Sequence, residues 1–150
     1  LMRLKLTVVL YELAINKRNL FWIDSDVLIM RDLTPLLNKL NHCDLLCLKR
    51  PDAPEHRKVA AGAFGVSPNA LQALARWSKL SWCYDEDWWS DQKALGEMAK
   101  EVNSVSLTEE EFSLKDSNAV MFHRGGKDLE LCTKIVMEDR EWTSPNGLTL

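Results

Sequence analysis

The chain has 150 residues, 46% of them apolar and 27% charged, with a formal net charge of −3 at pH 7. That length and apolar content suffice for one domain with a real core, 1–150, and exclude the disordered and fibrous classes. The acidic balance, with no basic cluster longer than Lys17-Arg18 or Lys49-Arg50, argues against nucleic-acid and anionic-membrane binding, and the two short clusters read as solvated loop charges.

Met2, Leu6, Val9, Leu10, Leu13 and Ala14 recur at helical spacing, and Asn16-Lys17-Arg18-Asn19 ends that helix with turn and basic residues. The next run is Leu20-Phe21-Trp22-Ile23-Asp24-Ser25-Asp26-Val27-Leu28-Ile29. Four consecutive apolar residues predict a buried strand, and side chains at i and i+2 of a strand share a face, so Asp24 and Asp26 are expected to address one target together. At the carboxyl end of a strand in an open α/β sheet, two carboxylates are placed to hold a hard divalent cation, and the cation to hold phosphates. An arbitrary pair of acids more often just ends a strand. Here, however, the pair interrupts two apolar runs, and an unpaired buried carboxylate costs about 2–7 kcal/mol or more, which favours the metal.

Thr34-Pro35 reads as an N-cap with proline at the first helical position, for a short helix carrying Leu36, Leu37 and Leu40. Residues 44–49 predict a buried strand, and the proline-broken stretch 50–57 a surface loop. Strand 63–66 follows, then a Ser67-Pro68 start to a helix through Leu71, Leu74, Ala75 and Trp77. Ser90 is expected to cap a third helix bearing Ala94, Leu95, Met98 and Val102. Residues 104–107 and 119–122 predict short strands, and 128–139 a last helix. Such alternation predicts an α/β fold whose sheet is largely parallel and covered by helices. The four cysteines, Cys43, Cys47, Cys83 and Cys132, form no C-x-x-C pair and read as core residues or free thiols, favouring a reducing compartment. No apolar run reaches the roughly 18–20 residues of a membrane span, so no transmembrane segment is expected, and no signal peptide is recognisable.

Taken in order, four pieces of the chain resemble the nucleotide-sugar-dependent glycosyltransferases of the A-type fold, the Rossmann-like group that includes the glycogenin-like enzymes of family 8. The stretch FWIDSDVLIMRDLTPLL resembles the family's strand, aspartate-x-aspartate and short-helix pattern. Ala60-Ala61-Gly62-Ala63-Phe64-Gly65-Val66 is similar to the loop that lets backbone approach the donor sugar, with Ala61 where a polar residue is usual. Ser90-Asp91-Gln92-Lys93 resembles the aspartate-glutamine helix start beside the sugar, and His123-Arg124-Gly125-Gly126-Lys127 the late histidine, glycine and lysine group of the metal and diphosphate site, at shorter spacing than in glycogenin. The likeness spans roughly Lys5 to Lys127. It implies a mixed, mostly parallel Rossmann-like sheet, and a first base-gripping strand that is not found ahead of Leu1, so a longer chain is expected.

The resemblance also implies roles. Asp26 and His123 would ligate Mn²⁺ or Mg²⁺, Asp24 would bind the metal or the ribose, and Ser25, Gly62, Gly125, Gly126 and Lys127 would border the nucleotide sugar, a UDP-sugar being the expected donor. An imidazole beside oxygen donors tilts the choice toward Mn²⁺. Asp91 and Gln92 would hydrogen-bond the donor sugar near the reacting carbon, although an acid in a first helical turn is favoured by the helix dipole whatever its function. Five aromatics fall within residues 77–89, interleaved with Asp85, Glu86 and Asp87, and Trp88 and Trp89 are candidates for stacking on the acceptor, a glycan, protein or lipid hydroxyl. The compartment stays open, cytoplasmic or at the membrane face in a bacterium, secretory lumen in a eukaryote. Two other readings stand beside this one. A haloacid-dehalogenase-like phosphatase would use Asp24 as nucleophile and Asp26 as acid/base, though Val27-Leu28 replaces its usual Gly-Thr pair. A non-catalytic domain would bind a nucleotide sugar without turnover.

Overall fold

The computed structural model describes residues 2–83, 90–113 and 118–123. The chain opens with helix α1 (Met2–Asn16), which Lys17 ends by taking the left-handed conformation at φ 47°. Strands β1 (Leu20–Ile23) and β2 (Val27–Ile29), helix α2 (Thr34–Lys39) and strand β3 (Leu45–Lys49) follow. Next come β4 (Val59–Val66), α3 (Leu71–Ser81), α4 (Ser90–Glu101), and the short strands β5 (Ser104–Ser106), β6 (Phe112–Ser113) and β7 (Met121–His123). Single 3₁₀ turns precede β4 and α3. No described helix is long and apolar enough to cross a membrane.

Two small sheets form, ordered β1-β4-β3-β5 and β2-β7-β6. The coarse α/β class therefore holds, but the mostly parallel sheet does not. Among the described pairings β1·β4, β3·β4 and β2·β7 are antiparallel, and only β3·β5 and β6·β7 are parallel. For β3·β4 the cause is chain length: nine residues separate the two strands, and a parallel return usually needs a crossover of about a dozen or more.

The central strands β3 and β4 of the larger sheet are buried on both faces. Leu45 and Cys47 of β3 join Leu6, Val9 and Leu13 of α1, Leu74 of α3, and Leu95 and Met98 of α4 in one core. Leu46 and Leu48 face a second core with Val27, Leu36, Leu40, Phe112 and Met121, under α2 and the smaller sheet. Three layers result, and the continuous apolar runs of β3 and β4 follow from burial on both sides. Helix α1 is apolar nearly all round, since Leu4, Val8, Tyr11 and Ile15 lie exposed opposite its buried stripe.

Three local expectations change. Asp24 and Asp26 do not share a strand: β1 ends at Ile23, and the Val27 N–H donates to the Asp24 carbonyl at 3.1 Å, closing a turn over Asp24-Ser25-Asp26-Val27 that carries the chain from one sheet to the other. Asp and Ser are favoured in such turns because they satisfy backbone groups locally. Leu33 rather than Thr34 is the N-cap of α2, and Asp32 Oδ1 accepts from both the Thr34 N–H and hydroxyl, at 2.9 and 2.8 Å. Ser90 is the first residue of α4, with its Oγ buried and unpartnered rather than capping. The helix expected over 128–139 lies outside the described residues.

Candidate functional site

β4 supplies the platform of the site through an irregularity. Its register against β3 passes from Cys47↔Phe64 to Leu48↔Ala60, so residues 61–63 face no partner on β3. A bulge of this kind re-aims backbone groups that a regular ladder would consume. The Gly62 carbonyl accepts the Asp24 N–H at 2.8 Å, fixing the end of β1 against the bulge. The Ala61 carbonyl accepts from Lys5 Nζ at 2.9 Å.

Lys5 is the centre of the arrangement. It stands on the buried side of α1, 6% exposed. Its ammonium donates to Asp24 Oδ2 and to Asp91 Oδ2, each at 2.9 Å. The three donors of an ammonium are thus matched by three oxygens from three elements. Asp91, 2% exposed, lies in the first turn of α4, and its Oδ1 accepts the Gln92 N–H at 2.8 Å. A carboxylate buried this deeply needs such a cation, because unpaired it costs several kcal/mol. Trp22 Nε1 donates to Asp24 Oδ1 at 2.6 Å. The i, i+2 geometry of a strand therefore joins Trp22 to Asp24, not Asp24 to Asp26.

The structure brings Asp24, the Ala61-Gly62 backbone and Asp91 around one point. Gln92 extends the site, its Oε1 accepting from Arg50 Nη2 at 3.3 Å. Ser25 and Asp26 are exposed on the turn, and β7 sets the His123 backbone opposite Val27, one residue past Asp26. Trp88, Trp89, Gly125, Gly126 and Lys127 lie outside the described residues. Of the aromatic cluster, Trp77 packs half-buried against the first core with its Nε1 unpartnered, and Trp82 is half-exposed just after α3.

Among the described residues no three His, Cys, Asp or Glu side chains form a ready metal cluster. Both Asp24 oxygens are engaged, yet each keeps a further lone pair, and Asp26 and the His123 position lie along the same turn and strand edge. Lys5 had no motif to announce it. Its one signal was a charge set between Leu4 and Leu6 in a helix that is largely apolar. Lys49-Arg50 is not a solvated pair either: Lys49 Nζ donates to the Ser104 carbonyl and hydroxyl at 3.0 and 2.8 Å, and Arg50 is half-buried. Searches against protein-family models, curated proteins and solved structures find no match to this chain.

Proposed function

We propose that this chain carries the donor side of a metal-dependent glycosyltransferase, an enzyme moving a hexose from a nucleotide diphosphate, with a UDP-sugar the expected donor, to a hydroxyl of a glycan, protein or lipid. The observation that carries the reading is the convergence of three separated motifs on the Lys5 ammonium: the aspartate turn, the small-residue bulge of β4 and the acid at the start of α4. One buried ammonium beside two carboxylates leaves the set net negative, so the bound divalent cation, not Lys5, would meet the negative charge that develops on a leaving diphosphate. Asp91 and Gln92 orient the donor sugar, and Lys5 fixes Asp91 in place. Asp24, Asp26 and His123 would hold Mn²⁺ or Mg²⁺, which supplies Lewis-acid stabilisation of the diphosphate when bound. Ser25, Gly62, Gly125, Gly126 and Lys127 complete the donor side, and Trp88 and Trp89 form the acceptor platform.

The test mixes the protein with Mn²⁺ and a panel of nucleotide sugars and follows free nucleotide. Release that requires the metal and falls at least tenfold in Asp91→Asn supports the reading (roughly the loss of one charged hydrogen bond at a reacting centre). Hydrolysis of a phosphomonoester in place of nucleotide release would assign the site to the phosphatase class instead.

A further inference from the structure

The loop over residues 50–58 leaves β3 and returns into β4, and its backbone is tied at both ends. The Arg50 N–H donates to the Lys58 carbonyl at 2.7 Å, the Ala53 N–H to the Arg50 carbonyl at 3.1 Å, and the Arg57 N–H to the Pro54 carbonyl at 2.7 Å. The tie holds the Arg50 stem against the start of α4, where Nη2 meets Gln92 Oε1. Arg50 Nε is out of water and has no hydrogen-bond partner. Among the described residues no ion pair joins a carboxylate to this guanidinium, and Glu55 of the same loop is taken by Lys58 and Lys100. Burial, and next the like charge of Arg57, hold the Arg50 guanidinium below its ordinary range. A desolvated cation that meets an amide and another cation is left uncompensated by the described residues, and an unsatisfied buried donor in a folded protein calls for a ligand or ion.

We propose that Arg50, oriented by Gln92, is a recognition site for an anionic oxyacid group, the carboxylate or phosphate of a sugar substrate. The chemistry is that of the guanidinium edge. Nε and Nη2 present parallel donors matched to two oxygens of one oxyacid, and because each Nη carries two hydrogens, the bond to Gln92 leaves Nη2 a second donor for the anion. The amide fixes the plane of the fork, which lowers the entropy lost on binding. That the anion belongs to a sugar rests on the transferase reading, through Gln92. The anion site itself rests on Arg50 alone.

The experiment is a thermal-shift titration at constant ionic strength with sodium glucuronate, glucose 6-phosphate and neutral glucose, on the wild type, Arg50→Gln and Arg50→Lys. At least one anion stabilises the wild type beyond glucose, and the carboxylate and phosphate arms identify which. The affinity falls about tenfold in Arg50→Gln, as expected for one charged hydrogen-bonded pair. Arg50→Lys keeps the charge and stem, so it decides the matter should the glutamine variant fail to fold, and it too binds roughly fivefold or more weakly because the fork is lost. A wild type that responds to neither anion, or an Arg50→Lys protein that binds like the wild type, overturns the proposal. Anion binding lost in these variants without metal-dependent nucleotide release in the wild type would defeat the transferase reading and leave the anion site standing.

Discussion

Replacing Lys5 with methionine tests the centre of the structure most directly. Methionine keeps the apolar stem of the side chain but removes the ammonium, leaving Asp91, whose side chain is 3% exposed, with only the Gln92 N–H as partner among the described residues. Asp24 is 26% exposed on its side chain and keeps the Trp22 indole, so it can rehydrate and adds little. Breaking a buried ion pair by removing one partner costs about 3–5 kcal/mol. For a domain of this size that converts to a fall in Tm of roughly 6–20 °C, at 2–4 °C per kcal/mol. Urea denaturation followed by far-UV circular dichroism, with m unchanged from wild type, reads the loss as a shift of midpoint. Lys5→Met/Asp91→Asn should recover a large part of it, since the amide no longer buries a charge. The two single changes are thus coupled by about 0.5–3 kcal/mol. A Lys5→Met protein within about 1 kcal/mol of wild type, or single effects that simply add, would refute the claim that this ammonium neutralises a buried carboxylate.

Three further outcomes are expected. Gly65→Ala should destabilise by about 1–3 kcal/mol, because a Cβ there would lie 2.8 Å from both Phe21 Cδ2 and Leu40 Cδ1; a variant as stable as wild type in urea would show that β1 and α2 are packed more loosely than described. Burial works to raise the Glu111 carboxyl, but the Lys39 ammonium and the Thr108 N–H outweigh it and hold it below the ordinary glutamate range. Its contribution, kept to about 1 kcal/mol or less by the exposure of Lys39, is present above the ordinary glutamate range and lost as pH falls through the lowered value. Glu111→Gln should therefore be less stable than wild type at pH 7 and equal to it in acid, and a difference that persists in acid refutes the pairing. Burial pushes the Cys47 thiol up to about 12 and also raises Cys43, whereas Cys83 is exposed. In native protein at pH 8 a maleimide should label Cys83 and spare Cys43 and Cys47 until denaturant is added, as peptide mass mapping would read; Cys47 labelled as fast as Cys83 would contradict the burial of β3.

Much of the element list was legible because its punctuation is local. Asn16-Lys17-Arg18-Asn19 stops α1, Ser67-Pro68 leads through one 3₁₀ turn into α3, and the runs of β3 and β4 announce burial on two faces. The direction of β4 was also within reach, since the nine-residue link between β3 and β4 is too short for a helical crossover, whereas the alternation of strands and helices points the other way. The break at Asp24-Ser25-Asp26 was harder to see. Apolar residues flank it on both sides because β1 packs against both cores and β2 against the second, so the hydrophobic pattern continues while the chain changes sheets. Periodicity reports burial, and burial does not say in which sheet.

The side chains at the centre of the site were invisible for a different reason. Lys5 meets its partners across 19, 56 and 86 residues of sequence, and no spacing rule connects a helix position to a carbonyl released by a bulge in a distant strand. What a sequence does show is the cost such a residue would incur if left alone. A lysine on the buried face of an apolar helix, an aspartate buried in the first turn of α4 and an arginine after a buried strand each violate the solvation expected at their positions. Lys5 and Asp91 resolve the violation by pairing with each other. Among the described residues Arg50 has only a neutral amide against its charge. The two cases differ in what the fold supplies: where the opposite charge is built in, the buried ion fixes the geometry of the site, and where it is missing, the protein retains an unmet demand that a bound anion would satisfy.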